Sequence, residues 1–128
     1  MRASEGSLLQ HRAVHALGAF VAMGSWAVFA NRAHPMPEPI VAGATQGALS
    51  ALITLVLKRG IEAVAARLPS FAALVIPPVL CFVASVLLLW LVHTLAGTPE
   101  IASTIAVPVA VSTSYGAVYA MLLWRRNP

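Results

Sequence analysis

The sequence predicts an all-α integral membrane protein, with four transmembrane helices in an antiparallel up-down bundle. Two observations carry this prediction: long apolar segments with almost no charge, and Lys/Arg residues that gather on one side of those segments. Only 9% of the 128 residues are charged, compared with roughly 25% in soluble domains. A soluble fold is therefore strongly disfavoured, and the chain is expected to form a single membrane domain.

The apolar segments place the predicted spans at residues 11–30, 40–57, 72–96 and 101–124. About 17–25 apolar residues are needed to cross a bilayer, and each segment meets or approaches that length. The first segment also has the features of a cleaved signal peptide, because residues 28–30 (Val-Phe-Ala) resemble a small-residue cleavage site. Its apolar run exceeds the usual 7–15 or so residues of such peptides, so a retained span is preferred.

The connections between the spans are short. Residues 58–68 carry apolar side chains at helical spacing and three basic residues, which predicts an amphipathic cytoplasmic segment that either continues helix 2 or bends at Gly60. Helix 3 is expected to begin, or to be interrupted, at Pro77-Pro78, because proline removes a backbone donor. Thr98 is expected to cap helix 4, since Pro99 suits the next position.

The distribution of basic residues predicts the orientation. Seven of the eight Lys/Arg residues fall before the first span, between the second and third, or after the fourth, and only Arg32 lies on the other side. Because short loops rich in Lys/Arg remain in the cytoplasm, both termini are expected inside. The Arg-rich, Ala/Val/Leu-rich composition is typical of a bacterial source, so the inner membrane is the expected location.

The net charge of +4 raises the question of nucleic acid as a partner. The basic residues sit at membrane boundaries, where anionic headgroups attract each one by roughly 1 kcal/mol. Anionic lipids at the cytoplasmic face are therefore the expected partner, and nucleic acid is not. The single cysteine, Cys81, excludes an intrachain disulfide and a two-cysteine metal site.

Helix 2 has the clearest helical pattern of small and polar residues. Its stripe, named here the helix 2 stripe, consists of Gly43, Gln46, Gly47, Ser50 and Thr54. Small and polar residues on one face allow helices to approach closely and to form hydrogen bonds, while Leu-rich faces meet lipid. Gly43 and Gly47 form a GxxxG pair, which indicates either packing within the chain or the seam of a homodimer.

A matching stripe on helix 1 is predicted to face helix 2. It consists of His11, His15, Gly18, Ala22, Ser25 and Phe29, and is named here the helix 1 stripe.

The candidate polar site is predicted where polar residues of helices 1, 2 and 4 lie at the same depth in the membrane. His15, Thr54 and Tyr115 are predicted to meet in the cytoplasmic third of the membrane, with Gln46 and Ser50 extending the site toward the middle. Gln46 and Ser50 are expected to meet Ser25 and residues 108–112. His15 is either a neutral histidine bonded to a neighbouring hydroxyl or a proton relay, since histidine titrates near neutral pH.

The remaining charged and histidine residues are expected at the outer surface, at headgroup level. These are Arg32, His34, Glu38, His93 and Glu100. Neither they nor the His11/His15 pair match a metal or cofactor motif, so no metal and no cofactor are predicted.

Two functions are compatible with the sequence, and one of them is favoured. No nucleophile, base and electrophile come together at one depth, so an enzyme is not expected. The leading interpretation is a non-enzymatic accessory or assembly subunit of a membrane complex or lipid-linked pathway, with a membrane-protein partner or a second copy. The alternative is a small transporter or channel with a polar pathway along helix 2. The chain resembles small multidrug exporters in size, but it lacks the carboxylate that their mechanism needs inside the first span.

Overall fold

The computed structural model describes residues 2–126, and within that range the regular structure is all helical. The helices are α1 (Arg2–Ala30), α2 (Glu38–Ala65), α3 (Ser70–Ala96) and α4 (Ile101–Arg126). Each contains a stretch that is long and apolar enough to cross a membrane. These four candidate spans indicate a multi-pass membrane protein.

All four helices extend beyond the predicted spans, and α1 and α2 do so by the most residues. Helix α1 begins at Arg2 and not near residue 11, and α2 continues as one helix through Gly60 to Ala65. Continuing the helix keeps each backbone amide bonded within its own segment, which outweighs the roughly 1 kcal/mol that a helical glycine costs. The amphipathic residues 58–68 thus form the last turns of α2 and the tight turns that follow it.

Helix 3 does not begin at Pro77-Pro78, which was one of the two expectations for this span. Helix α3 begins at Ser70, and both prolines lie within it. Each proline removes one amide donor, and the rest of the helix remains continuous. The prolines also lie at a close contact with α4, because a Cβ atom added to Gly116 would lie 3.5 Å from Pro78 Cα and 2.9 Å from Cys81 Sγ.

The helices pack in pairs around a small apolar core. Helix α1 packs mainly on α2, α3 packs mainly on α4, and α2 also contacts both α3 and α4. Leu89, Ile105 and Val109 form the buried core cluster, which joins α3 to α4. Leu49 and Ile53 of α2 pack against this cluster, so α2 connects the two helix pairs.

Glycines set the distance between α1 and α2. A Cβ atom on Gly43 would lie 2.4 Å from Val28 Cγ2, and one on Gly24 would lie 2.9 Å from Gly43 O. A Cβ atom on Gly47 would lie 3.0 Å from Phe20 O. The first four residues of the helix 2 stripe are buried and Thr54 is half-buried, so this stripe faces the inside of the bundle.

The prediction that the helix 1 stripe faces α2 was wrong. Its members His15, Gly18, Ala22 and Ser25 are exposed, and a Cβ atom on Gly18 would meet no atom within 4 Å. The contacting face is the opposite one, which includes Gly24. Both faces of α1 carry small residues. The face with Gly24 packs against α2, because there the backbone of α1 lies in close contact with the backbone of Gly43 and Gly47.

Candidate functional site

The interior contains a hydrogen-bond network that joins α2 to α3, named here the Gln46–His93 network. It consists of Gln46, Ser50, His93 and Thr98. His93 Nε2 lies 2.8 Å from Gln46 Oε1, and His93 Nδ1 lies 2.7 Å from Thr98 Oγ1. Gln46 Nε2 donates to Ser50 Oγ at 2.8 Å. Gln46 and His93 are both fully buried, so these polar groups are satisfied by one another.

The donors and acceptors of this network define the histidine tautomer. Gln46 Oε1 can only accept, so His93 Nε2 carries the hydrogen that is donated to it. In a neutral imidazole, Nδ1 then accepts from the Thr98 hydroxyl. A neutral His93 therefore fits the network without an unpaired ring nitrogen.

The burial of His93 corrects the expectation that it is a headgroup-level group at the surface. It lies in the last turn of α3, on the side of the helix that faces Gln46. The network also occupies the Thr98 hydroxyl, which was expected to cap helix 4. The chain reverses after α3 at Gly97, whose φ of 74° is left-handed, and this turn brings the Thr98 hydroxyl to His93 Nδ1.

Asn31 performs the capping role at the start of α4. Its Oδ1 accepts from the Glu100 backbone N–H at 3.0 Å, and its Nδ2 donates to Thr104 Oγ1 at 2.7 Å. The same Nδ2 donates to Ala27 O at 2.8 Å, which ties the amide to its own helix end. Asn31 is fully buried, and it connects α1 to α4 as a cap supplied from a distant part of the chain.

Beside Asn31, exposed charges form a small surface cluster. His34 Nε2 lies 2.9 Å from Glu100 Oε1, and His34 Nδ1 lies 3.8 Å from Glu38 Oε2. The Arg32 guanidinium lies 3.8 Å from the centre of the Phe29 ring. Within residues 2–126, no three His, Cys, Asp or Glu side chains are placed to hold a metal ion.

The structure separates the residues of the predicted polar site. The exposed ring of His15 packs edge-on against His11, with centroids 6.2 Å apart. Thr54 Oγ1 donates to Ser50 O of its own helix at 2.8 Å, and Tyr115 stacks on Tyr119. In the part of the chain with described side chains, no hydrogen bond or ring contact joins His15, Thr54 and Tyr115 to one another.

Gln46 and Ser50 also have partners other than those expected. They join His93 of α3, whereas Ser25 of α1 is exposed. Ser112 of α4 pairs with Ser85 of α3 at 3.0 Å. Polar residues of α2 and of α4 therefore both bond to α3, although its sequence is typical of an apolar span.

A second polar contact lies at the basic end of the helices. The Tyr119 hydroxyl donates to Glu62 Oε1, and Lys58 Nζ lies 5.9 Å from the centre of the Tyr119 ring. The helical spacing of helix 4 places Tyr119 on the same polar side as Tyr115, whereas Glu62 was not predicted as a polar partner. The available signal was the spacing of Ser50, Thr54, Lys58 and Glu62, which continues the helix 2 stripe in steps of four residues.

Two cavities lie along α2 and α3. The first is an apolar groove of about 290 Å³ between the two helices, lined by Ile53, Gly60, Leu88 and their neighbours, and named here the α2–α3 groove. The second has a volume of about 360 Å³, is lined by Glu62, Trp124 and residues at the start of α3, and is named here the Trp124 cavity. The Gln46–His93 network lines neither of them.

Comparison with protein-family models, with curated proteins and with solved structures finds no match to this chain.

Proposed function

We propose that the chain is a non-enzymatic accessory or assembly subunit of the bacterial inner membrane, which packs against another membrane helix in a membrane complex or lipid-linked pathway. In this proposal the four helices alternate in direction, and both termini are cytoplasmic. The seven-to-one distribution of Lys/Arg supports the orientation. The contacts of Asn31 with Thr104 and of Glu62 with Tyr119 support the alternation of directions.

The observation that carries the proposal is the exposure of the helix 1 stripe. Gly18, Ala22 and Ser25 are the kind of small residues that allow two membrane helices to approach closely, yet they face away from the chain's own bundle. His15 lies on the same face, and an unpaired polar group in hydrocarbon costs several kcal/mol. A partner helix on this face would provide both the close contact and a hydrogen-bond partner for His15.

The interior supports a structural role for the polar residues of α2. Gln46, Ser50 and His93 bond to one another and hold α2 against α3. A transport pathway along α2 would instead need these groups to face water. The partner is either a second copy of this chain or another inner-membrane protein.

Cysteine cross-linking in native membranes tests the proposal. With Cys81 replaced by Ser, an Ala22→Cys variant is expected to form a discrete cross-linked product, whose second chain is identified by mass spectrometry. Gly18→Leu should abolish the product, because a larger side chain keeps the partner helix away. Gly6→Leu is the matched control, since its position also has nothing within 4 Å and lies outside the helix 1 stripe.

A discrete product that survives Gly18→Leu, or no product from Ala22→Cys, would contradict the proposed contact face. The transporter alternative is tested in the same background with Ser50→Cys. Labelling of that residue by a membrane-impermeant maleimide would indicate a hydrated pathway, whereas the accessory role predicts no labelling.

A further inference from the structure

The Gln46–His93 network lies at the end of α3, where the chain turns toward α4. Through its hydrogen bonds, α2 is joined both to the last turn of α3 and to the connection that follows it. The backbone amide of Thr98 also donates to His93 O at 3.0 Å, so the turn at Gly97 is fixed to the same residue. His93 therefore holds the turn between α3 and α4 against α2.

The hydrogen bonds of His93 fit only one protonation state of its ring. Nε2 donates to Gln46 Oε1, which can only accept, and Nδ1 accepts from the Thr98 hydroxyl. A second proton would occupy Nδ1, and the Thr98 oxygen would then have to accept from it. The hydrogen of that hydroxyl would lose its acceptor, because the described residues offer it no bond other than the one to His93.

A proton on His93 would also be a buried charge without a counterion. The ring is fully buried, and its partners Gln46 and Thr98 are uncharged. The rest of α3 carries no Asp, Glu, Lys or Arg, and α4 carries none before its last two residues. Since a buried charge is costly unless an opposite charge pairs with it, the folded network disfavours the imidazolium form.

The charged and ionisable side chains near this end of the helices do not contact His93. They are Arg32, His34, Glu38 and Glu100. Both carboxylates lie against the His34 ring, at 2.9 Å and 3.8 Å, and Arg32 Nη1 donates to Phe29 O. The remaining ionisable groups, among them Cys81 of α3, lie about three helical turns or more from this end along their helices. Nothing on the neighbouring elements is therefore placed to stabilise a charged His93.

We propose that the Gln46–His93 network is an acid-sensitive latch, in which protonation of His93 releases the last turn of α3 and the Thr98 connection from α2. The latch is closed at neutral pH and opens as the pH falls. It rests on the proposed function only for the side of the membrane on which it lies. In that orientation it faces the outside of the cell, and an inverted chain would carry the same latch on the cytoplasmic side.

The direction of the pH dependence follows from the number of protons bound in each state. An ordinary histidine takes up a proton near pH 6.5, whereas the closed latch holds His93 neutral. The open state therefore binds one more proton than the closed state. Acidification below that pH favours the open state by up to about tenfold for each pH unit, which is the linkage of one proton.

Unfolding of the full chain in mild detergent, between about pH 8 and about pH 5, tests the latch over the range in which histidine changes its charge. The unfolding equilibrium constant of the wild type is expected to rise on acidification. His93→Gln should lose this rise, because a glutamine amide still donates to Gln46 Oε1 but takes up no proton. His15→Gln is the matched control and should keep the wild-type response, since the His15 ring is exposed.

Two measurements on the wild type keep the test independent of how well His93→Gln folds. Nitrogen-15 spectra of the histidine rings should show His93 as the neutral Nε2–H form at a pH at which the exposed histidines are already charged. Hydrogen exchange, corrected for its intrinsic pH dependence, should show that the Thr98 amide loses protection on acidification before amides in the middle of α3 do.

Either of two results would overturn the latch. One is an equal response to pH in the wild type and in a folded His93→Gln variant. The other is a charged His93 ring in a chain whose Thr98 amide is still protected, which would show that the network accepts the proton without opening. Neither result bears on the partner face of α1, so failure of the latch and failure of the proposed function are distinguishable.

Discussion

His93 links α3 both to α2 and to the connection before α4. Its ring bonds to Gln46 on α2 and to Thr98 in the connection before α4. Both contacts are buried, so there is no water to replace a lost partner. A buried polar group that loses its partner retains the full cost of desolvation, which makes this histidine sensitive to substitution.

Replacing His93 with Leu is expected to lower the free energy of unfolding by about 1–3 kcal/mol, because Gln46 Oε1 and the Thr98 hydroxyl lose their partner. Thermal or denaturant unfolding in mild detergent measures the change. His15→Leu is the matched control, since His15 is exposed and its ring packs against the neighbouring ring of His11. Equal destabilisation by the two substitutions would argue against the network as the main polar contact of the interior.

At the scale of the helices, contacts between small residues and a single capping side chain decide how the elements join. Helices α1 and α2 meet where Gly24 faces Gly43 and Gly47. Helices α1 and α4 are joined at their ends by Asn31. The first contact depends on the absence of side chains, and the second depends on the geometry of one amide group.

Gly47→Leu is expected to destabilise the protein by overpacking, an effect on the order of 1–3 kcal/mol in packed cores. The reason is steric, because even a Cβ atom at this position lies 3.0 Å from Phe20 O. Leu52→Ile should be almost silent, since Leu52 lies on the exposed face of α2. Unfolding curves of both variants test the assignment, and similar stability of the two would refute it.

Asn31→Leu is expected to lower stability by about 1–3 kcal/mol, since the Glu100 amide and the Thr104 hydroxyl lose a buried partner. Hydrogen exchange at the first turn of α4 should increase, because that turn loses its cap. Arg32→Gln is the control on the neighbouring exposed residue and should leave exchange there unchanged. Unaltered exchange at Glu100 in Asn31→Leu would show that the cap is not needed.

At the scale of the whole molecule, the two ends of the helices differ in chemistry. One end carries Lys58, Arg59, Arg67 and the Arg125-Arg126 pair, and the other carries Asn31 with the His34–Glu100 contact. This asymmetry supports the proposed orientation, because basic residues remain on the cytoplasmic side.

Reporter fusions test that orientation. A fusion after Pro128 is expected to report a cytoplasmic position, and an insertion at Met36 an external one. A C-terminal reporter found outside would contradict the topology. Mass measurement of the purified chain provides the control for the first span, since a product that begins near Asn31 would identify residues 1–30 as a cleaved signal peptide.

The amino-acid sequence alone was sufficient to predict four apolar helices and to identify the inward face of α2, because hydropathy and helical period are local properties of the chain. It also singled out Gln46 and Ser50 as polar groups that need partners. Only the tertiary structure decided that the partner is His93 and not a residue of α1. The rotation of α1 about its axis was equally beyond the sequence. Both faces of α1 carry small residues, and the choice depends on which backbone fits most closely against Gly43 and Gly47.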